Sequence, residues 1–316
     1  MKQAFRRASD LLEHLALDAD DLPYLDDPDF PILAPRPYVD RIRRGDPADP
    51  LLRQILPDPR ERDSAPGFSD DPVGDQASSV GRGLLHKYQG RLLLVSTGAC
   101  AIHCRYCFRQ AYPYAQDHFQ PKRIAQLVAY LDAHPDIEEI ILSGGDPLML
   151  DTSRLRELSN ALRDRAQIQR LRLHTRLPVV LPSRIDEGLL DWLDSLPWQT
   201  VVVIHANHAQ EFDGEVDSGL ARLRAAGATL LNQAVLMAEV NDSARELSRL
   251  MRRGFEAGVL PYYLHLLDRV SGAARFEVGQ AQALALIEQL RIELPGYLVP
   301  RLVKEQAGAP YKLPVL

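Results

Sequence analysis

The sequence predicts an α/β fold: a partial, open β/α barrel of about six parallel strand–helix units behind an irregular N-terminal arm. Three observations predict it. From Arg91 onward, short apolar runs alternate with segments of helical 3–4 spacing at intervals of about 30 residues, the length of one βα unit. Nearly every apolar run ends in polar residues, as the carboxyl ends of barrel strands do. No dinucleotide glycine fingerprint follows the first run, which weighs against a flat doubly wound sheet, the alternative with the same periodicity. Six units fall two short of a closed barrel, so the sheet is expected to curl without closing.

In chain order, an opening helix is expected over 5–17. Proline and aspartate then become frequent, and residues 1–80 read as an arm with short helices wrapped on the main domain. The Asp-, Pro- and Ser-rich stretch 58–79 reads equally well as a partly disordered tail. RLLLVS at 91–96 is the first buried strand. PKRIAQLVAYLDAH at 121–134 follows, with Ile124, Leu127, Val128 and Leu131 on one helical face. EEIILSGG at 138–145 is a strand running into a glycine turn. Helices at 151–164, 187–196, 219–226, 244–257 and 280–290 then alternate with the strands RLRLHT, TVVVIHA, TLLNQAVL and LPYYLHLL. The strand ends carry the groups 143–146, 174–176, 205–208, 232–233 and 267–269. The barrel is expected to span 81–296, and a C-terminal segment 297–316.

Composition narrows the class. The 316 residues are 46% hydrophobic and 25% charged, with a net charge of −6. That is ordinary for a soluble globular protein and unlike a dedicated nucleic-acid binder. No apolar run nears the roughly 20 residues of a spanning helix. The N-terminal MKQAFRRASDLLEHL lacks the apolar stretch and cleavage site of a signal peptide. Neither a nucleic-acid nor a membrane partner is expected. The expected compartment is cytoplasmic, where reducing conditions preserve free thiols.

All three cysteines, Cys100, Cys104 and Cys107, lie in the loop after the first strand. An odd set this close suits a metal better than a disulfide. A structural zinc wants four ligands, and His103 as the fourth would strain so short a loop. Three thiolates leave one iron of a [4Fe-4S] cluster without a protein ligand, open to a cofactor or substrate. Three buried structural thiols are the plainer alternative. The C-x-x-x-C-x-aromatic-C pattern resembles the signature of the radical S-adenosylmethionine (SAM) enzymes. Ser143, Gly144, Gly145 and Asp146 end the second strand, where glycine N–H groups can approach a small charged ligand closely. This segment resembles the one with which those enzymes hold the methionine end of SAM; a tight turn is the alternative.

Further motifs extend the resemblance. They are LLHKYQGRLLL at 84–94, LSGGDPL at 142–148, LPVVLPSRI at 177–185, IHANH at 204–208, LNQAVL at 231–236, YYLHLLDRVSG at 262–272 and YKLP at 311–314. With them, 81–312 resembles the lysine 2,3-aminomutase family. It is most similar to the short branch that makes β-lysine for elongation factor P, whose arm 30–60 also resembles.

The resemblance implies an isomerase that moves the amino group of L-lysine from C2 to C3. Its cofactors would be the cluster, SAM and pyridoxal phosphate, and its partners an external electron donor, elongation factor P and its lysyl ligase. Lys312 matches the lysine that binds pyridoxal phosphate covalently, an amine that needs a desolvated or cationic setting. GAPY precedes it where the free-lysine enzymes have a run of glycines. Lys87 and Arg91 match the cations on the cofactor phosphate, and Tyr88 the residue against its ring. Arg109 matches the grip on the substrate carboxylate. Asp268 and Glu305 match the acidic pair for the ε-ammonium, although a surface salt bridge is the plainer reading of Glu305. His205 and Gln233 match contacts to the adenosyl part. The longer relatives carry C-terminal cysteines for zinc; this chain has none, so no zinc is expected.

Overall fold

A computed structural model describes residues 3–18, 22–115, 118–120 and 123–316. Pro121 and Lys122, the expected start of the first barrel helix, lie outside the described residues. Ten strands form one sheet in strictly sequential order. β1 (Ser79–Gly81) and β2 (Leu84–Tyr88) run antiparallel onto β3 (Arg91–Thr97). From β3 the sheet is parallel through β4 (Glu139–Gly144), β5 (Arg170–Thr175), β6 (Gln199–Ile204), β7 (Thr229–Val235), β8 (Leu260–His265) and β9 (Arg301–Lys304). β10 (Leu313–Pro314) returns antiparallel to β9. Sequential order leaves no switch point, which rules out the doubly wound alternative. Among the described residues the two ends of the sheet, β1 and β10, are not paired, so the barrel is open.

The parallel strands number seven, one more than predicted. β9, RLVK, is short and half charged, and only Leu302 and Val303 are buried. Such a run carries no apolar signature of its own.

Two helices of the arm, α2 (Arg36–Val39) and α3 (Pro50–Arg53), follow α1 (Ala8–His14). α1 is shorter than predicted: Phe5 pairs with Ala34 in a β-bridge, and Ala16 has a positive φ of 56°. The barrel helices are α4 (Ile124–Ala133), α5 (Thr152–Leu162), α6 (Leu177–Val180), α7 (Glu187–Asp194), α8 (Gly214–Ala225), α9 (Ala244–Glu256) and α10 (Gln280–Glu293). α8 starts earlier than expected because the Asp213 carboxylate caps it, accepting from the Val216 N–H at 2.9 Å. The glycine read as its boundary, Gly219, lies inside α8 beside Ile185, where a Cβ would make ordinary contact at 3.5 Å.

Leu11, Leu12, Tyr38, Leu51, Leu52 and Ile55 of the arm are buried in the same apolar core as the barrel strands and helices. The period-2 alternation sets what faces inward. On β5, Leu171, Leu173 and Thr175 are buried while Arg172 and His174 line the interior. On β7, Gln233 and Val235 do the same. The interior is thus a hollow that polar side chains share with apolar ones, unlike the packed core of a closed barrel.

Candidate active site

The barrel encloses one cavity of about 1140 Å³. Drug-sized ligands usually sit in pockets of roughly 300–1,000 Å³, so more than one small molecule fits. The cavity is lined by Cys100, Cys104, Cys107, Ser143, Gly144, Gly145, Asp146, Arg109, Lys87, Tyr88, Arg91, His205, Gln233, Asp268, Glu305 and Lys312. Every site residue named from the sequence is therefore on its wall.

The cysteine loop leaves β3 and is fastened to the end of β4. The Gly145 N–H donates to Thr97 O at 2.7 Å, and the Asp146 N–H to Ala99 O at 2.8 Å. A Cβ on Gly145 would lie 2.4 Å from Ala99 O. Gly144 has φ +114°, and its Cβ would lie 2.7 Å from Thr97 O. The cysteine loop itself thus demands these glycines, and the N–H of Gly145, expected to face a charged ligand, is already engaged. The Asp146 carboxylate is engaged too. Its Oδ1 accepts from Thr175 Oγ1 at 2.7 Å and Leu148 N at 3.0 Å. Its Oδ2 accepts from Arg176 N at 2.8 Å and Leu177 N at 3.1 Å. Burial pushes its pKa up to about 6 despite these four bonds. Asp146 ties β4 to β5 and leaves little for a ligand. Ser143 does offer a side chain, accepting from Arg109 Nη1 at 3.1 Å.

Burial pushes the Cys100 and Cys107 thiols up, Cys107 to about 11. Deprotonating them here requires a bound cation. Among the described residues, no three His, Cys, Asp or Glu side chains stand where one ion could bind them together. Three thiols on one short loop are a donor set that a [4Fe-4S] cluster can use, one iron for each sulfur.

A run of ion pairs crosses the cavity. Arg109 Nε meets Asp75 Oδ2 at 2.6 Å, and Asp75 Oδ1 meets Lys87 Nζ at 2.7 Å. Lys87 Nζ also meets Glu305 Oε1 at 3.0 Å, and Glu305 Oε2 meets Lys312 Nζ. Burial works against the Glu305 charge, but the two lysines hold its pKa well below the usual carboxylate range. Glu305 is therefore no surface residue. These contacts join the β2 side of the sheet to the end of β9, so charges bridge the open side of the barrel.

Asp268 differs. Among the described residues its carboxylate makes no hydrogen bond or ion pair. Burial, then the Glu305 charge, push its pKa up to about 7, although Lys312 and Lys87 pull the other way. Arg91 has no carboxylate partner among the described residues, and its guanidinium lies 5.1 Å from the Tyr88 ring centroid. Such a pair can meet an anion and a flat ring together.

His174, His205 and His265 stand inside the barrel, and burial pushes all three pKa values down, that of His205 to about 3. His174 Nε2 and His205 Nε2 are buried without a partner among the described residues. Buried orphans of this kind mark a place for a ligand or water. In the sequence, strand alternation already points His174 inward. Asp75 is not legible in the sequence: no local signal sets it apart from Asp70 or Asp71. Arg176 reads in the sequence as a strand-end residue, and the fold sets it against Cys104.

Comparison with known proteins fixes the family. Residues 94–251 match the model of the radical SAM superfamily. The L-lysine 2,3-aminomutase of Escherichia coli (strain K12) is 46% identical over 286 residues, 90% of this chain and 83% of that protein. The chain belongs to the lysine 2,3-aminomutase family of radical SAM enzymes. The L-lysine 2,3-aminomutase of Haemophilus influenzae is 43% identical over 283 residues, covering 90% of this chain and 84% of its own. A radical SAM methyltransferase from Sphaerobacter thermophilus shares the fold, with a TM-score of 0.52 at 16% identity, over 70% of this chain and 68% of its own. As an aminomutase of this family, the chain is an isomerase whose radical SAM domain implies a [4Fe-4S] cluster and SAM. The three thiols on one cavity wall fit that requirement. No helix among the described residues is long and apolar enough to cross a membrane.

Proposed function

We propose that the chain is a pyridoxal-phosphate-dependent lysine 2,3-aminomutase that turns L-lysine into β-lysine for the modification of elongation factor P. The observation that carries this reading is the run Arg109–Asp75–Lys87–Glu305–Lys312, in the same cavity as the three thiols. It offers an amine and two anion-binding cations, with Asp268 as a free carboxylate beside them. The role in elongation factor P modification rests on the likeness of residues 30–60 to the short branch.

The residues divide the work by charge. Cys100, Cys104 and Cys107 would hold the cluster, and His205 and Gln233 the adenosyl part of SAM. Ser143 and the Gly144–Gly145 turn would flank its methionine end. Lys87 and Arg91 would take the phosphate of pyridoxal phosphate, Tyr88 would lie against the ring, and Lys312 would bind it covalently. When bound, the cluster and SAM supply a hydrogen-abstracting carbon radical, and pyridoxal phosphate supplies a conjugated system that can spread the unpaired electron as an amino nitrogen shifts between neighbouring substrate carbons.

Arg109 would hold the substrate carboxylate. Asp75 on its Nε and Ser143 on its Nη1 fix the guanidinium plane, as fork-like recognition requires. Asp268 would take the ε-ammonium. Glu305 would join it once a phosphate draws Lys87 away and Lys312 loses its charge. At Lys87 and Glu305 an arriving charge then replaces one already paired, and at Asp268 it meets a carboxylate that had no partner among the described residues. The enclosing strands keep water from the reacting atoms.

The test is anaerobic incubation of reconstituted protein with free L-lysine, SAM, pyridoxal phosphate and dithionite, with β-lysine measured. β-Lysine is expected, and Cys100→Ser, Cys104→Ser or Cys107→Ser should each lose most iron and all turnover. β-Lysine formed only on lysylated elongation factor P would move the substrate to the attached lysyl group. Turnover indifferent to pyridoxal phosphate would sink the role given to Lys312.

A further inference from the structure

Arg176 lies just past the end of β5 with only 7% of its side chain exposed. Its Nη1 is within hydrogen-bond reach of Cys104 Sγ, at 2.7 Å, and of Tyr106 OH, at 2.8 Å. Its Nη2 lies 2.9 Å from Glu211 Oε2, 2.8 Å from Gln54 Oε1 and 3.4 Å from Tyr38 OH. The Tyr38 and Tyr106 rings face the guanidinium at 5.3 and 5.7 Å. Glu211 is fully buried, and its Oε1 accepts from the N–H groups of Asn207 at 2.8 Å and His208 at 3.1 Å. Among the described residues, Arg176 has the one side chain hydrogen-bonded to a cysteine sulfur.

One wall of the cysteine loop thus carries a buried positive charge touching a sulfur. A buried negative charge lies behind it. Hydrogen bonds to the sulfur ligands and the net charge around a cluster set its reduction potential. A donor on the sulfur draws density from the iron, and a nearby cation favours the state holding one more electron. A carboxylate at longer range does the reverse. Neither charge is screened by bulk water here.

We propose that Arg176 is a positioning residue for the cluster, one that orients Cys104 and raises the reduction potential, and that Glu211 limits the rise. This rests on the cluster assignment above. It also gives the arm a part in the chemistry. Tyr38 and Gln54 supply two of the guanidinium's partners, so the electrostatic wall of the cluster is complete only when the arm is docked.

The experiment is an anaerobic redox titration of the reconstituted full chain without SAM, followed by electron paramagnetic resonance. Arg176→Gln should shift the midpoint to more negative potential, and Glu211→Gln to more positive. The double variant should return toward the parent. A merely structural role would not produce shifts of opposite sign. Two single variants that shift the same way, or not at all, overturn the proposal. If Arg176→Gln cannot keep its cluster, Glu211→Gln decides: an upward shift supports the proposal, and an unchanged or lowered midpoint overturns it. A parent chain that reconstitutes no four-iron cluster fails at an earlier point and overturns the cluster assignment together with this inference.

Discussion

The Asp268 carboxylate faces the cavity without a partner among the described residues, with its pKa pushed up to about 7 by burial and then by Glu305. An unfolded aspartate titrates near ~4. Between those values the folded chain keeps a proton that the unfolded chain has lost, so this group lowers stability as pH rises from about 4 to about 7. Above that window its full penalty is present. Asp268→Asn removes the titration. The variant should gain on the parent in thermal melts across the window, reaching about 2 kcal/mol above pH 7 once cavity water has screened part of the shift. A gap independent of pH would mean that the carboxylate is ionised throughout. The same change should weaken binding of lysine by roughly 2–5 kcal/mol, read as a higher KM, because a charged partner of the ammonium is lost. Gly145→Ala tests the loop seam. Its methyl group would meet the Ala99 carbonyl at 2.4 Å, and backbone cannot swing aside as a side chain can. A loss of about 1–3 kcal/mol is expected, together with lower iron per chain. Parent-like iron and melting would show that the loop tolerates the displacement.

At the scale of elements, the C-terminal return and the arm each bring one charge to the cavity. β10 pairs with β9 through Leu313↔Lys304 and Pro314↔Val303, and the Val315 N–H donates to Leu302 O at 3.0 Å. Val315 is buried, whereas Tyr297 and Leu316 are exposed. Strand pairing holds the return together with Val315, which is buried in the same core as Leu298, with Val299 packed against it. Lys312→Ala should abolish the absorbance band of covalently bound pyridoxal phosphate while leaving iron intact, because the cysteine loop hangs from β3. A band that survives, with turnover at the parent rate, would refute the role of Lys312. In the arm, Asp75 is buried between Arg109 and Lys87. Removing one partner from a buried ion pair costs about 3–5 kcal/mol, so Asp75→Asn should lower the melting temperature of the apoprotein. Added pyridoxal phosphate should then recover more stability in the variant than in the parent, because its phosphate no longer competes with Asp75. Equal recovery in both would mean that Asp75 and the phosphate use different cations.

On the scale of the whole molecule, the open barrel and the cavity are one feature. Two ends of a sheet that do not pair leave room for large ligands, and ion pairs span the gap where backbone hydrogen bonds would close a full barrel. By itself the sequence determined the strand–helix rhythm, the cysteine loop, the glycine seam beside it and most of the polar strand ends. These are local signals: strands and helices repeat over two to four residues, and a loop is read from its own spacing. The tertiary structure alone decided that Asp75 belongs to the site, that β9 extends the parallel sheet, and that Arg176 leans on Cys104 with Glu211 behind it. The physical reason is reach in sequence. Lys87 and Glu305 are 218 residues apart, and Arg176 and Cys104 are 72 apart. Nothing in the local pattern of an aspartate or an arginine records which charge it meets after the chain has closed around the cavity.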